Sequence, residues 1–304
     1  MGSSLSKHKE QRRITLLSGG VGGARLARGL AVTCEQLTVI VNVGDDERIY
    51  GLHVAADIDT VTNTLAGIEG PAGWGVRDDT FTVMDALAAA GIDTTFRLGD
   101  RDLAACMART LALDGGAALS DVTTATAKRL GISASILPAT DDELRTKVKT
   151  ADGEWLSFQE YFVMRRHQDE VAAIRFEGTP LPAPGVLEAI AEADLVVVGP
   201  SNPVLSIWPI LAVPGIREAV ARHDVVAVSP LIGGEAVKGP AASVLRSLGY
   251  PSGSAGVAAA YGDLVTTLVV DASDASDRID GVEIKATDTR IATLEASVRL
   301  ANFL

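Results

Sequence analysis

The sequence predicts an α/β fold: a doubly wound, mainly parallel sheet with a small β-rich insertion lobe. Three observations carry this. Short continuous apolar runs at residues 14–17, 37–43, 194–198, 224–228 and 264–270 read as strands buried on both faces. Segments with helical spacing separate most of them. Polar loops rich in glycine, aspartate, serine and proline follow the strands, where open α/β sheets bind ligands. With 47% hydrophobic and 22% charged residues, the 304-residue chain can bury a large core. Residues 14–304 read as a single domain.

The polar residues 1–13 lack an apolar signal core and read as a disordered lead-in. Residues 14–17 form the first strand. SGGVGG follows at 18–23, and 24–31 have helical character. Gly19, Gly20, Gly22 and Gly23 would let the backbone approach an anion, beside the positive end of a helix. Arg25 stands where a dinucleotide fingerprint wants a small residue, and no Walker lysine is present. Arg25 instead suits bidentate contact with a phosphate. A tight βα turn with a surface arginine is the plainer account.

The second strand, 37–43, runs into VNVGDDERIYGLHVAADIDT at 41–60, which holds Asp45, Asp46, Asp57 and Asp59. Clustered carboxylates repel unless a cation or a proton intervenes. Asp59 also reads as the N-cap of a helix starting at Thr60, and Asp45 and Asp46 as turn formers. A loop surrounds Trp74, and residues 81–90 read as a helix. FRLGDRD at 96–102 presents Arg97 and Arg101 to an anionic substrate or to local ion pairs. Helices are expected over 103–113 and 120–130, the second capped by Ser120.

Residues 136–178 alternate as antiparallel strands do, and form the expected insertion. A turn at 180–184 returns the chain to a helix at 185–193 and the strand at 194–198. That strand ends in GPSNP, which places Ser201 and Asn202 to hold a phosphate or a base edge. Two helical segments, 209–211 and 215–221, lead to the strand 224–228 and a glycine-rich loop carrying Lys238. After the strand 264–270 comes a polar stretch, then a helix over 289–300.

The net charge of −12 removes the basic footprint of a nucleic-acid binder, and 4% aromatic residues do not make a base-stacking surface. Local positive potential for phosphates must come from backbone N–H groups, a few Arg and Lys, or a metal ion. Cys34 and Cys106 read as buried thiols, which fits a reducing cytoplasm. No apolar run is long enough to span a membrane.

Together SGGVGGARL, NVGDDERIYGLHVAADIDT, GWGVRDDTF, LGDRD, FQEYFV, GPSNPVLSIWPIL, AVSPLIGGEAVKGPA and GVAAAYGD resemble, in order, the 2-phospho-L-lactate transferase family, called CofD in archaea and FbiA in actinobacteria. The resemblance implies a Rossmann-like core, a magnesium ion, a homodimer and a cytoplasmic enzyme of coenzyme F(420) biosynthesis. Such enzymes move a phospho-acid group from a guanosine diphosphate-linked donor to the ribityl hydroxyl of the deazaflavin Fo, releasing GMP. Carried over, Asp59 and Arg97 contact Fo. The glycine loop, Gly19, Gly20, Gly22 and Gly23, and the loop of Ser201 and Asn202 would hold the guanosine nucleotide, and Arg25, Arg97 and Lys238 are candidates to offset the remaining negative charge. Asp45, Asp57 and Asp59 are candidate metal ligands, and Asp59 and Asp45 the candidate catalytic pair. Ala56 stands where the family often has Pro, and the lead-in to Arg13 has no counterpart.

Two other functions compete. A non-enzymatic nucleotide-sugar-binding regulator of the gluconeogenesis-factor type shares the opening glycine loop, and is expected to differ at the acidic stretch. An NAD-dependent oxidoreductase needs a ribose-binding acid near the end of the second strand, where Asn42 stands instead. The sequence does not select among lactyl, enolpyruvyl and glyceryl donors.

Overall fold

The computed structural model of the protein describes residues 10–304. The expected lead-in lies outside the described residues up to residue 9. Residues 10–13 extend the first strand, β1, which spans Glu10–Ser18. β2 is Cys34–Val41. One seven-stranded sheet runs in the order Glu283–Thr287, Thr267–Asp271, Val225–Val228, Leu195–Val198, β1, β2, Ser135–Pro138. Every neighbouring pair is parallel. The α/β expectation is met. Leu195–Val198 is buried at all four positions, because helices cover both faces.

The chain leaves β1 in one direction through β2 and Ser135–Pro138, then returns to β1's other side at Leu195–Val198. The topological switch point therefore lies between β1 and Leu195–Val198, and their C-terminal ends frame the crevice. Glu283–Thr287 was not expected as a strand. Its sequence, EIKAT, is mostly exposed at the sheet edge, so no apolar run marks it.

Two helices start earlier than their propensity indicates. α1 spans Gly20–Thr33 and takes three of the four glycines into its first turn. Packing explains this. A β-carbon on Gly22 would collide with the Pro200 carbonyl oxygen, and one on Gly23 with the Ser18 hydroxyl. α1 can thus lie tight against the loop after Leu195–Val198. α2 is Ala56–Leu65, not a helix from Thr60. Its N-cap is Ala55, so Asp59 is not the cap. Asp57 and Asp59 sit in the first turn, where the helix dipole favours negative charge. Ala56 is the first helical residue, a position that suits the family's Pro.

The helix Leu119–Arg129 (α5) packs on Ser135–Pro138 with Leu119 and Ala127 in the main core, and Thr82–Ala89 (α3) and Asp100–Asp114 (α4) lie beyond it. Ala118, not Ser120, precedes α5 as its cap; the Ser120 hydroxyl instead donates to Asp141 at 2.8 Å. The insertion is a separate antiparallel sheet of Trp155–Ser157, Arg145–Thr150 and Val171–Glu177. It begins later than expected, because residues 136–138 belong to the main sheet. Within WLSFQEYFV the strand stops at Ser157, and Glu160–Met164 coils as a π-helix. That turn stacks Phe158 on Phe162 at 5.2 Å, a contact an extended strand would not allow.

Candidate active site

The crevice begins at a single residue, Gly19. Ser201, from the loop after Leu195–Val198, accepts from Gly19 N–H at 3.2 Å and donates to Gly19 C=O at 2.7 Å. Gly20 has φ +65°, which glycine adopts without strain, and its N–H donates to Asp57 Oδ1 at 2.7 Å. The glycine turn is thereby joined to the acidic stretch. Gly22 and Gly23 face the Pro200 and Ser18 side of α1, so their small size serves packing.

Asn42, at the end of β2, organises the first acids. Its Nδ2 donates to Asp45 Oδ1 and, at 3.0 Å, to Asp57 Oδ2, while its Oδ1 accepts from Gly44 N–H at 2.8 Å. Burial, followed by repulsion from Asp57, holds the Asp45 carboxyl well above the usual range. Burial also pushes Asp57 up to about 6, against the opposing bonds from Asn42 and Gly20. Burial raises Asp46 too; its Oδ2 lies 3.1 Å from His53 Nε2. These are carboxylates short of positive charge.

Asp59 stands apart from the Asn42-bound pair, Asp45 and Asp57. Its Oδ1 pairs with Arg109 Nη2 of α4. Arg109 is only 7% exposed and also donates to the His53 carbonyl at 3.1 Å. Asp59 and Arg109 lie in the wall of a cleft of about 790 Å³ between α2, α4 and α5. Ala105, Ala108, Ala112, Val122 and Ala125 give it a flat apolar lining, and Arg77, Arg101 and Arg129 add cations. Its volume falls within the range of small-ligand sites. The three proposed metal-binding aspartates are therefore divided: Asp45 and Asp57 meet at Asn42, and Asp59 faces Arg109. Among the described residues, no group of three His, Cys, Asp or Glu is arranged to hold a metal ion.

The predicted cations separate in the same way. Arg25 and Lys238 share one rim, where burial, then repulsion from Arg25, lowers Lys238. Lys238 Nζ lies 5.2 Å from the Trp74 ring centre and donates to Ala72 C=O at 2.5 Å. The Arg25 Nε is buried with no partner among the described residues. Arg97 is not among the cleft residues: it pairs with Asp85 at 2.8 Å and lies 4.9 Å over the Phe81 ring. Asn202 Oδ1 accepts from Val204 and Leu205 N–H at 3.0 and 3.1 Å, capping the next turn. Its buried Nδ2 has no partner among the described residues. Burial pushes the Cys106 thiol up to about 12, which removes it as a nucleophile.

No motif assigns a role to Asn42, His53, Arg109 or Gln159. Gln159 reaches from the insertion lobe to donate to the Asp45 carbonyl at 2.8 Å. Asn42 and Gln159 lie inside segments already singled out, at the end of β2 and in FQEYFV. Arg109 carries no local signal, since its partner is 50 residues away.

Comparisons with known proteins agree with this architecture. The profile of the family described as 2-phospho-L-lactate transferase CofD matches residues 14–304. The chain is 40% identical over 296 residues to the 2-phospho-L-lactate transferase of Methanopyrus kandleri, with 95% of each chain covered. It is 42% identical over 307 residues to the phosphoenolpyruvate transferase of Thermobifida fusca, again covering 95% of each. The phosphoenolpyruvate transferase of Streptomyces avermitilis is 44% identical over 305 residues, covering 95% of this chain and 96% of that one. A solved structure of a UPF0052-family protein from Bacillus halodurans superposes with a TM-score of 0.65 at 16% identity, over 97% of this chain and 99% of that one. That likeness shows the fold alone. The chain belongs to the 2-phospho-L-lactate transferase family, CofD, and is a transferase of phosphate-containing groups.

Proposed function

We propose that the chain transfers a phospho-acid group, 2-phospho-L-lactyl or phosphoenolpyruvyl, from a guanosine diphosphate-linked donor to the terminal ribityl hydroxyl of Fo, releasing GMP. The observation that carries this is the junction at Asp57. One of its oxygens accepts from the glycine turn, the other from the Asn42 amide that also holds Asp45. Two residues on, Asp59 opens onto the apolar cleft. A diphosphate lying on the glycine turn and a flat acceptor lying in the cleft would meet there.

Ser201 and Asn202 hold the donor side of the crevice, and Arg25 and Lys238 supply cations at its rim. Asp59 orients the acceptor hydroxyl and takes its proton as the new P–O bond forms and the bond to the GMP oxygen breaks. The remaining work is positioning and stabilisation of charge on the phosphoryl oxygens. A magnesium ion fits the donor set of Asp45 and Asp57: two buried oxygen ligands short of positive charge, the rest coming from water and phosphate. When bound, it would neutralise charge on the diphosphate. Asp59, paired with Arg109, is left to the acceptor. Arg97, carried over as an acceptor contact, is paired with Asp85 in this structure.

The same reading carries a cytoplasmic homodimer. Met107, Leu111 and Leu130, beside the cleft, are 48%, 70% and 38% exposed, an apolar face that a second copy would cover. Among the described residues no helix is long and apolar enough to cross a membrane.

The test incubates the protein with Fo, magnesium and the lactyl, enolpyruvyl or glyceryl donor in turn, and follows GMP and the Fo adduct by mass spectrometry. GMP and adduct from at least one donor are expected. Absence of GMP with all three overturns the reading.

A further inference from the structure

The acidic stretch is tied to α4 by two adjacent residues that no motif contains. Arg109 Nη2 meets Asp59 Oδ1, and Nη1 donates to the His53 carbonyl at 3.1 Å. The next residue, Thr110, accepts from His53 N–H at 2.7 Å through Oγ1. The His53 backbone is thus gripped on both sides by adjacent residues of α4. Its imidazole in turn lies 3.1 Å from Asp46 Oδ2. The Thr110 hydroxyl is fixed as well, donating to the Cys106 carbonyl at 2.7 Å. Arg109 therefore sits on a braced turn, 7% exposed, at the inner wall of the cleft.

The consequence falls on Asp59. Its Oδ2 has no hydrogen-bond partner among the described residues, and Oδ1 has only Arg109. The negative groups around it, Asp46 and Asp102, repel rather than orient it. The Arg109 guanidinium is held by the His53 carbonyl at 3.1 Å and by Cys106 Sγ at 4.0 Å, and a planar guanidinium so held fixes a carboxylate's direction in a way a flexible ammonium does not.

We infer that Arg109 is a positioning residue for the acceptor: it pins Asp59 Oδ1 in the wall of the cleft and leaves Oδ2 for the incoming hydroxyl. This rests on the functional reading above, in which Asp59 meets the acceptor. A merely structural Arg109, tying α4 to α2, would disturb donor and acceptor alike and would not act through Asp59.

The test is a double-mutant cycle read by titration of Fo fluorescence, with GDP-induced thermal stabilisation as the measure of an intact donor side. Arg109→Lys is expected to weaken Fo binding at least fivefold and lower kcat at least tenfold, with donor KM and the GDP shift unchanged. In the Asp59→Asn background the same substitution is expected to change Fo affinity less than twofold, since its effect runs through Asp59. The paired variant Asp59→Asn/Arg109→Met removes both charges and leaves neither buried alone, so it retains the GDP shift even if Arg109→Met by itself does not fold. Equal loss of Fo affinity in both backgrounds, no loss in either, or a parallel rise in donor and acceptor KM overturns the inference. A wild-type protein that neither binds Fo nor releases GMP overturns the functional reading itself.

Discussion

Ser201 holds both ends of the Gly19 residue, accepting from its N–H at 3.2 Å and donating to its C=O at 2.7 Å. Two loops more than 180 residues apart in sequence are joined there by one hydroxyl. Ser201→Ala leaves a buried N–H and a buried carbonyl without that partner, at a cost of about 1–3 kcal/mol. The expected outcome is a lower urea midpoint and a smaller stabilisation by GDP, with Fo binding retained. An unchanged GDP response would show that the glycine turn keeps its shape without the serine.

The acidic cluster makes the ligand-free protein less stable as pH rises. Asp45 and Asp57 bind protons more tightly in the folded chain than in the unfolded one, Asp57 up to about 6. Between the ordinary carboxylate value and those raised values the native state holds more protons, so stability falls with increasing pH and the deficit is complete above them. Asp45→Asn keeps an oxygen to accept from Asn42 and removes one charge. It is expected to raise stability at pH 8 by on the order of 1–3 kcal/mol, with the gain shrinking toward pH 4. Added magnesium and GDP should stabilise the wild type more than the variant. Thermal melts at both pH values, with and without ligands, check this.

The insertion lobe acts on the same loop. Gln159 donates to the Asp45 carbonyl at 2.8 Å, and Thr146 N–H donates to the Gly44 carbonyl at 2.7 Å. Gly44 has no room for a side chain: a β-carbon there would lie 2.8 Å from Pro209 Cβ and closer still to the Thr146 hydroxyl. Gln159→Met conserves volume and removes the bond. Donor KM is expected to rise several-fold while Fo affinity stays within twofold. A change in Fo affinity alone would place the lobe's influence elsewhere.

Lys238 and Trp74 make a removable contact across the donor rim. The lysine spans two loops, with Trp74 58% exposed. An exposed cation–π contact contributes about 0.5–1 kcal/mol, so Trp74→Ala should scarcely change the melting temperature. The expected effect is kinetic: faster release of a fluorescent GDP analogue, measured by stopped flow. A release rate equal to wild type would remove the contact from the donor's path.

The parallel sheet was legible because its central strands are buried on both faces and read as unbroken apolar runs. Glu283–Thr287 was not, because a polar edge strand is defined by its neighbour, Thr267–Asp271, rather than by its own composition. The starts of α1 and α2 were set four residues late for a related reason. Gly20–Gly23 and Ala56–Asp59 are poor helix signals, and tertiary contacts with Pro200, Ser18 and Arg109 decide them. The site divides similarly. Glycine and aspartate clusters announce themselves by density, whereas Asn42 and Arg109 act as single side chains whose partners are fixed only by the fold.

Gly29 passes the carbonyl of Ser297 with no space for a methyl group, and Arg28 Nη2 lies 3.4 Å from the Ser297 hydroxyl. The helix that begins with the glycine turn is therefore backed by Leu294–Ala301, with Arg28 and Ser297 lying 269 positions apart in the chain. A nascent chain holds every catalytic candidate long before it holds that support. The donor side of the crevice is completed only once that helix has been made and docked. Removing Leu294–Ala301 would strike the first loop of the site.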